Sequence, residues 1–248
     1  MATRTVLNYI GVKNLDHKKY KTEKYEIYCE PFGGSFNSGL ALLKQGFRGQ
    51  TVYNDLDTAV YNFWNCAIED VDKLWEKCER LDTNIINYIT VDEQLRTLNM
   101  YRTSEDKFRR AAAEYVYRKY STLTGFRVRR ITIPFEYEEL ILASELLKNT
   151  KLYNMYYFDV MDMFNDKNTF MLIDPPYLCK KIDSYYRCES SNFDHKLLKK
   201  KVDQLKGGFV LTYNDCNEIR ELYKNYNIEE VKQIKCGKQY CELYITRG

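Results

Sequence analysis

Apolar and polar positions alternate over Lys24–Cys29, the pattern of a half-buried strand. The glycine turn Gly33-Gly34-Ser35 follows. An apolar run through Leu40, Leu42 and Leu43 then predicts a short helix that Gly46 is placed to stop. Gln50–Asn54 reads as a second strand ending at Asp55, so this stretch forms one βαβ unit of a mostly parallel sheet. From Asp57 to about Tyr120 the pattern is helical. Val71, Leu74, Trp75, Cys78 and Leu81 recur at three- and four-residue steps and share one face. A further helix is predicted over Ser104–Tyr120, with Ser104 as its N-cap. Arg and β-branched residues over Thr122–Pro134 predict a loop or hairpin, and Tyr137–Lys148 another helix.

Strands resume at Leu152–Phe158 and Phe170–Ile173, and the second runs into Asp174-Pro175-Pro176-Tyr177, where two prolines must end it. After a polar, tyrosine-rich loop come a helix near Phe193–Leu205, a strand Gly208–Tyr213 and a helix near Glu218–Tyr223. Ile228–Lys235 and Tyr240–Thr246 are the last strand candidates. The sheet is therefore built from both ends of the chain. Residues 1–60 and 150–248 are expected to form one domain, and 61–149 a helical, basic insertion.

Composition narrows the chemistry. The 44% hydrophobic and 29% charged residues are those of an ordinary globular protein, and no apolar run reaches the length of a membrane span. The first nine residues lack the apolar core of a secretory signal. Eight cysteines contain no Cys-x-x-Cys pair and only two histidines, His17 and His195, accompany them, so neither a structural metal site nor Ser-His or Cys-His catalysis is expected. Free thiols in a reducing cytoplasm are the expectation. The net charge of +3 says little, but its distribution says more. Tyr101–Arg130 holds nine basic residues against three acidic ones, interleaved with six Tyr and Phe residues. Such a segment suits a polyanion, because each neutralised phosphate releases counterions; a solvated helix face with aromatics turned inward is the competing reading.

Two segments carry candidate chemistry. Glu30-Pro31-Phe32-Gly33-Gly34-Ser35 follows the first strand, where glycines let backbone approach a ligand, and open sheets bind ligands beyond the carboxyl ends of their strands. Asp55 ends the next strand, placed to accept hydrogen bonds from ribose hydroxyls, so a nucleoside-containing cofactor fits both features. Asp174-Pro175-Pro176-Tyr177 is more specific. The lone pair of an amino group on an aromatic ring is delocalised into the ring. A carboxylate accepting one N–H, with a rigidly aimed carbonyl accepting the other, holds the nitrogen for attack on an electrophilic methyl. Tyr177 offers a face on which a flipped base can stack.

In these motifs the chain resembles the Dam-type DNA adenine methylases. The likeness runs from Tyr9-Ile10-Gly11-Val12-Lys13 through Glu30–Gly34, Asn54-Asp55 and Phe108-Arg109-Arg110-Ala111 to Gly125. It continues with Asp174–Tyr177, Phe209–Asn214 and Glu242-Leu243, nearly the whole chain. The resemblance implies an α/β fold, a Rossmann-like S-adenosylmethionine-dependent methyltransferase sheet with the helical target-recognition insertion. It implies S-adenosyl-L-methionine held by Tyr9, Lys13, Phe32, Gly34, Asp55, Asp159 and Asp174, and catalysis by Asp174, Pro175, Pro176 and Tyr177. The partner it implies is double-stranded DNA, read by base flipping and gripped by Arg109, Arg110, Arg127, Arg129 and Arg130. A metal and a membrane are not expected. A companion restriction nuclease, and a monomer or a dimer, stay open. So do cytosine N4 or an RNA base as acceptor, and a DNA-binding protein without catalysis. Val12 and Phe36 replace glycines usual in the family, and a ring at Phe36 is expected to narrow the methionine end of the pocket.

Overall fold

The computed structural model describes residues 6–7, 15–87, 90–122, 125–126, 137–178, 193–235 and 238–247. The chain divides into two compact units. One comprises Asp16–Gly33, Gly46–Leu56 and Thr150–Gly248; the other comprises Met1–Leu15, Gly34–Gln45 and Asp57–Asn149.

The first unit is built on a sheet. Among the described residues its strands are β1 (Ile27–Glu30), β2 (Gln50–Asn54), β5 (Lys151–Tyr153), β6 (Thr169–Ile173), β7 (Gly208–Asn214), β8 (Asn227–Lys235) and β9 (Lys238–Thr246), in the order β5-β2-β1-β6-β7-β9-β8. The first five pair in parallel, and β9 joins β7 and β8 antiparallel. This is a mixed, mostly parallel sheet of the Rossmann-like kind expected. Strand β6, TFMLI, lies in the middle of the sheet and is buried throughout, as a strand covered on both faces must be. Cys29, Val52, Met171, Ile173, Phe209, Leu211, Leu243 and Ile245 form one core with α7 (Tyr157–Met163), α8 (His195–Asp203) and α9 (Asn217–Leu222) through Val160, Leu198, Val202 and Ile219. Each fully buried side chain of this size contributes ~1.5–3 kcal/mol, so the core outweighs any surface ion pair in holding the strand ends in register.

The strand predicted over Leu152–Phe158 is shorter in the structure. It pairs with β2 only at Lys151–Tyr153, because β2 itself ends at Asn54 and offers no further ladder. Tyr157 and Phe158 instead open α7, so Asp159 lies in a helical first turn.

The second unit is helical: α1 (Asn37–Lys44), α2 (Thr58–Glu69), α3 (Val71–Asn87), α4 (Val91–Arg102), α5 (Lys107–Tyr120) and α6 (Tyr137–Leu147), with the short hairpin β3 (Ser121–Thr122) and β4 (Gly125–Phe126). Helix α1 ends at Lys44, and Gly46 follows at φ 91°. Leu74, Cys78, Leu81 and Ile85 of α3 are fully buried, and Leu81 and Ile85 pack with Leu98, Ala113 and Val116 of the neighbouring helices. The predicted cap of α5 moves by two residues. Ser104 Oγ accepts from Asp106 N at 3.2 Å, but the helix starts at Lys107 and Asp106 Oδ1 accepts from Phe108 N at 2.9 Å. Helix α4 was not anticipated as a separate element. Its signal is the capping box Thr90–Glu93, in which the Thr90 hydroxyl accepts from Glu93 N and the Glu93 carboxylate accepts from Thr90 N.

Candidate active site

The carboxyl ends of the parallel strands lie along one edge of the sheet, and chain direction diverges between β1 and β6: β2 and β5 lie to one side of β1, β6 and β7 to the other. Ligands bind open sheets at such a crevice. The loop after β1 and the tetrapeptide after β6 flank it, so the two segments singled out by sequence sit on adjacent strand ends.

The β1 loop is fixed from within. Gly33 N donates to Asn54 O at 2.7 Å, and a Cβ at Gly33 would lie 2.3 Å from the Tyr53 ring, so only glycine permits this approach. Asn54, fully buried, is the clamp. Its Nδ2 donates to Pro31 O at 2.9 Å and to Met155 O at 3.0 Å, and its Oδ1 accepts from Met155 N at 3.0 Å. Asn154 Nδ2 donates in turn to Asp55 O at 2.7 Å and Leu56 O at 3.1 Å. Two asparagines thus tie together the ends of β1, β2 and β5. Sequence reasoning recorded Asn54 only as part of a motif and passed over Asn154. The available signal is an amide side chain closing the strand Gln50–Asn54.

These clamps position Phe32, Asp55 and Asp159. Phe32 is half-buried and stacks on Tyr157 with ring centroids 5.0 Å apart, and Phe193 packs edge-on against it at 5.8 Å. The Tyr157 hydroxyl is enclosed, with no partner among the described residues. Burial, helped by the Asp194 charge, pushes its phenol up to about 12, so it stays neutral. Asp55 is half-buried at its strand end, and Asp159 is exposed in the first turn of α7.

At the end of β6, Asp174 is half-buried, Pro175 buried, and Pro176 and Tyr177 half-buried. The Thr212 hydroxyl donates to Asp174 Oδ1 at 2.5 Å. The Tyr177 hydroxyl donates to Glu242 Oε1 at 3.3 Å, and its ring lies 6.0 Å from that of Tyr213, which shares a 2.7 Å hydrogen bond with His195 Nδ1. Asn214 Nδ2 donates to Leu178 O at 3.4 Å, fastening the chain after the tetrapeptide to β7. Asp174 therefore stands at the strand edge and is not sealed into packed side chains.

The other expected residues fall in the helical unit or outside the described residues. Gly34 has φ 48°, and its carbonyl accepts from Trp64 Nε1 at 3.1 Å. Phe36, fully buried, adopts φ 49° at the start of α1, and its ring lies where a Cβ at Gly39 would be 2.3 Å away. Its bulk is thus accommodated by a glycine three residues on. Arg109 is exposed, 3.9 Å from Asp106 and over the Tyr101 ring. Arg110 Nη1 donates to Ser104 O at 2.6 Å and Glu105 O at 2.8 Å, holding the approach to α5. Tyr9, Lys13, Arg127, Arg129 and Arg130 lie outside the described residues. Several other cations of the basic segment are committed inside the unit. Arg118 meets Glu114 and Asp57, Lys119 meets Asp82 at 3.2 Å, and Lys107 meets Glu69. Among the described residues no group of three or more His, Cys, Asp or Glu is arranged to hold a metal ion, and no helix is long and apolar enough to cross a membrane.

Residues 7–235 match the family model of the D12 class N6 adenine-specific DNA methyltransferases. The chain is also similar to the type II methyltransferase M.MjaIII of Methanocaldococcus jannaschii, 23% identical over 252 residues that cover 88% of this chain and 86% of the relative.

Proposed function

The chain belongs to the D12 class of N6 adenine-specific DNA methyltransferases, and from that premise we propose which of its groups perform the transfer. The carrying observation is that Asp174–Tyr177 ends β6 at the switch point of the sheet, on the strand adjacent to the one that ends in Glu30–Gly33. The donor set fits S-adenosyl-L-methionine. Asp55 supplies a strand-end carboxylate for ribose hydroxyls, Phe32 an aromatic wall, and Asp159 a carboxylate at the opening of α7 for the adenine amino group. Tyr9, Lys13 and Gly34 join this set by their motifs alone. When bound, the cofactor supplies an electrophilic methyl on a sulfonium.

The rest is the work of the chain. Asp174 accepts one hydrogen bond from the adenine amino group, and a backbone carbonyl stiffened by Pro175 and Pro176 accepts the other. This draws the nitrogen lone pair out of conjugation and aims it. An adenine inside a duplex cannot reach a strand end, so it is flipped out and stacks on Tyr177. Residues 61–149 serve as the target-recognition part, with Arg109, Arg127, Arg129 and Arg130 on phosphates or guanine edges and Arg110 shaping the start of α5. The type II designation of the relative motivates a restriction–modification setting with a companion nuclease, in the compartment that holds the DNA.

The test is methylation of duplex DNA followed by mass spectrometry of the nucleosides. Wild-type chain yields N6-methyladenine. Asp174→Ala lowers the rate by ~10³-fold or more while its unfolding transition is kept. Wild-type turnover in Asp174→Ala would remove Asp174 from the mechanism.

A further inference from the structure

Strand β7, GFVLTYN, sends Phe209, Leu211 and Tyr213 into the core shared with α8 and α9. Val210 and Thr212 therefore project from the opposite face. Parallel pairing with β6 runs through Ile173 opposite Leu211, so Thr212 comes level with Asp174 one step beyond the ladder. Thr212 is fully buried. A buried hydroxyl must place its single proton, and two acceptors are within reach: Asp174 Oδ1 at 2.5 Å and Ile173 O at 3.5 Å. The shorter contact, to a charged acceptor, takes it.

The choice of acceptor matters for chemistry. The torsion that turns an aspartate carboxylate is broad, whereas a β-branched threonine in a strand is stiff. A stiff donor on a buried strand therefore fixes the plane of a carboxylate that stands at the strand edge. A hydrogen bond to the ionised form also favours that form, keeping the group an acceptor. Burial above all pushes the Tyr213 and Tyr244 phenols up, with the Asp174 charge adding to it, and Glu242 on β9 is met by the Tyr177 hydroxyl.

We propose that Thr212 is a positioning residue for methyl transfer, its hydroxyl holding the Asp174 carboxylate in the plane and ionisation state that receive the amino group. This rests on the role assigned to Asp174 above. It adds that a buried side chain of the neighbouring strand, touching neither DNA nor cofactor, limits the chemical step.

The test uses the full chain with duplex DNA and S-adenosylmethionine, comparing Thr212→Val, Thr212→Ser and Asp174→Ala with wild type. Thr212→Val removes the donor at nearly constant volume, and its kcat is expected to fall about 10- to 100-fold, with KM for the cofactor unchanged within about twofold. The acid limb of its kcat–pH profile is expected to move up by about one pH unit, because the carboxylate loses a bond that favours its charge. Thr212→Ser keeps the hydroxyl and is expected to restore both rate and profile. A packing defect would lower the melting temperature without moving the acid limb. Wild-type kcat and pH profile in Thr212→Val, with Asp174→Ala inactive, overturn the role of Thr212 alone. So does a serine variant as slow as valine. An active Asp174→Ala overturns the underlying assignment and the role of Thr212 with it.

Discussion

Among the contacts of the described residues, acidic side chains at the sheet edge and in the helical unit are met by different groups. At the strand ends the donors described are hydroxyls: Thr212 to Asp174, Tyr177 to Glu242, and Tyr28 to Glu30 at 2.8 Å. In the helical unit the partners are cations: Arg118 to Glu114 and Asp57, and Lys119 to Asp82, which also accepts from the Tyr120 hydroxyl at 2.5 Å. A hydroxyl steadies a carboxylate without neutralising it, so the group can still receive a substrate proton donor. An ion pair spends the charge on the fold. The lesson for reading basic segments is direct. Tyr101–Arg130 carries an excess of six positive charges, but much of the described part of that charge is structural.

Removing one partner from each region should break this contrast or sharpen it. Asp174→Ala sits at one extreme, with the rate lost and the fold kept. Arg118→Met should do the reverse. Glu114 has 1% of its side chain exposed, and leaving it without its guanidinium is expected to cost about 3–5 kcal/mol. Chemical unfolding measures this; a loss under about 1 kcal/mol would class the network with surface ion pairs and dissolve the comparison. Gly33→Ala comes next. Its Cβ would lie 2.3 Å from the buried Tyr53 ring and 3.1 Å from Asn54 O, so it should cost about 1–3 kcal/mol and weaken cofactor binding together. Calorimetric titration with S-adenosylmethionine reads the second effect. Unchanged affinity would show that the β1 loop does not form the cofactor site.

Where the pattern is regular, the sequence was sufficient. Strand β2 falls on Gln50–Asn54 as expected, and β6 runs into Asp174 as its prolines demand. The failures have physical causes. Leu152–Phe158 is apolar enough to continue as a strand, but a strand lasts only as long as its neighbour, and β2 stops at Asn54. Asn54, Thr212 and Glu242 look like ordinary polar positions in alternating strands; what they do depends on which strands become neighbours, and no local pattern carries that. Which cations of the basic segment are paired within the unit is hidden for the same reason, since Asp57 and Asp82 are 61 and 37 positions away from Arg118 and Lys119.

The smallest expected effect tests the hydroxyl layer through pH. His195 Nδ1 is 2.7 Å from the Tyr213 hydroxyl, and its ring packs against Phe193 and Tyr213. Burial lowers its pKa below the ordinary value, with Asp194 opposing, so the folded protein holds the neutral imidazole. A neutral Nδ1 can accept the Tyr213 proton; on a protonated ring it can only donate, so the bond must reverse its direction and the charge must be held in a half-buried site. The sign of the linkage follows. The unfolded chain binds a proton at His195 near pH ~6.5, while the folded chain resists it. This contribution to stability is therefore complete above that pH and is lost as the pH falls toward the folded value. His195→Gln removes the titration, so its melting temperature should decline less than that of wild type between about pH 7.5 and pH 5.5. The difference is expected to be about 1–3 °C. In the helical unit no described imidazole takes part, so Arg118→Met should leave the slope in this window as it is in wild type. Parallel slopes for wild type and His195→Gln would mean that protonation of His195 is not linked to folding in this window, and that the layer beneath Tyr177 does not depend on the histidine's charge.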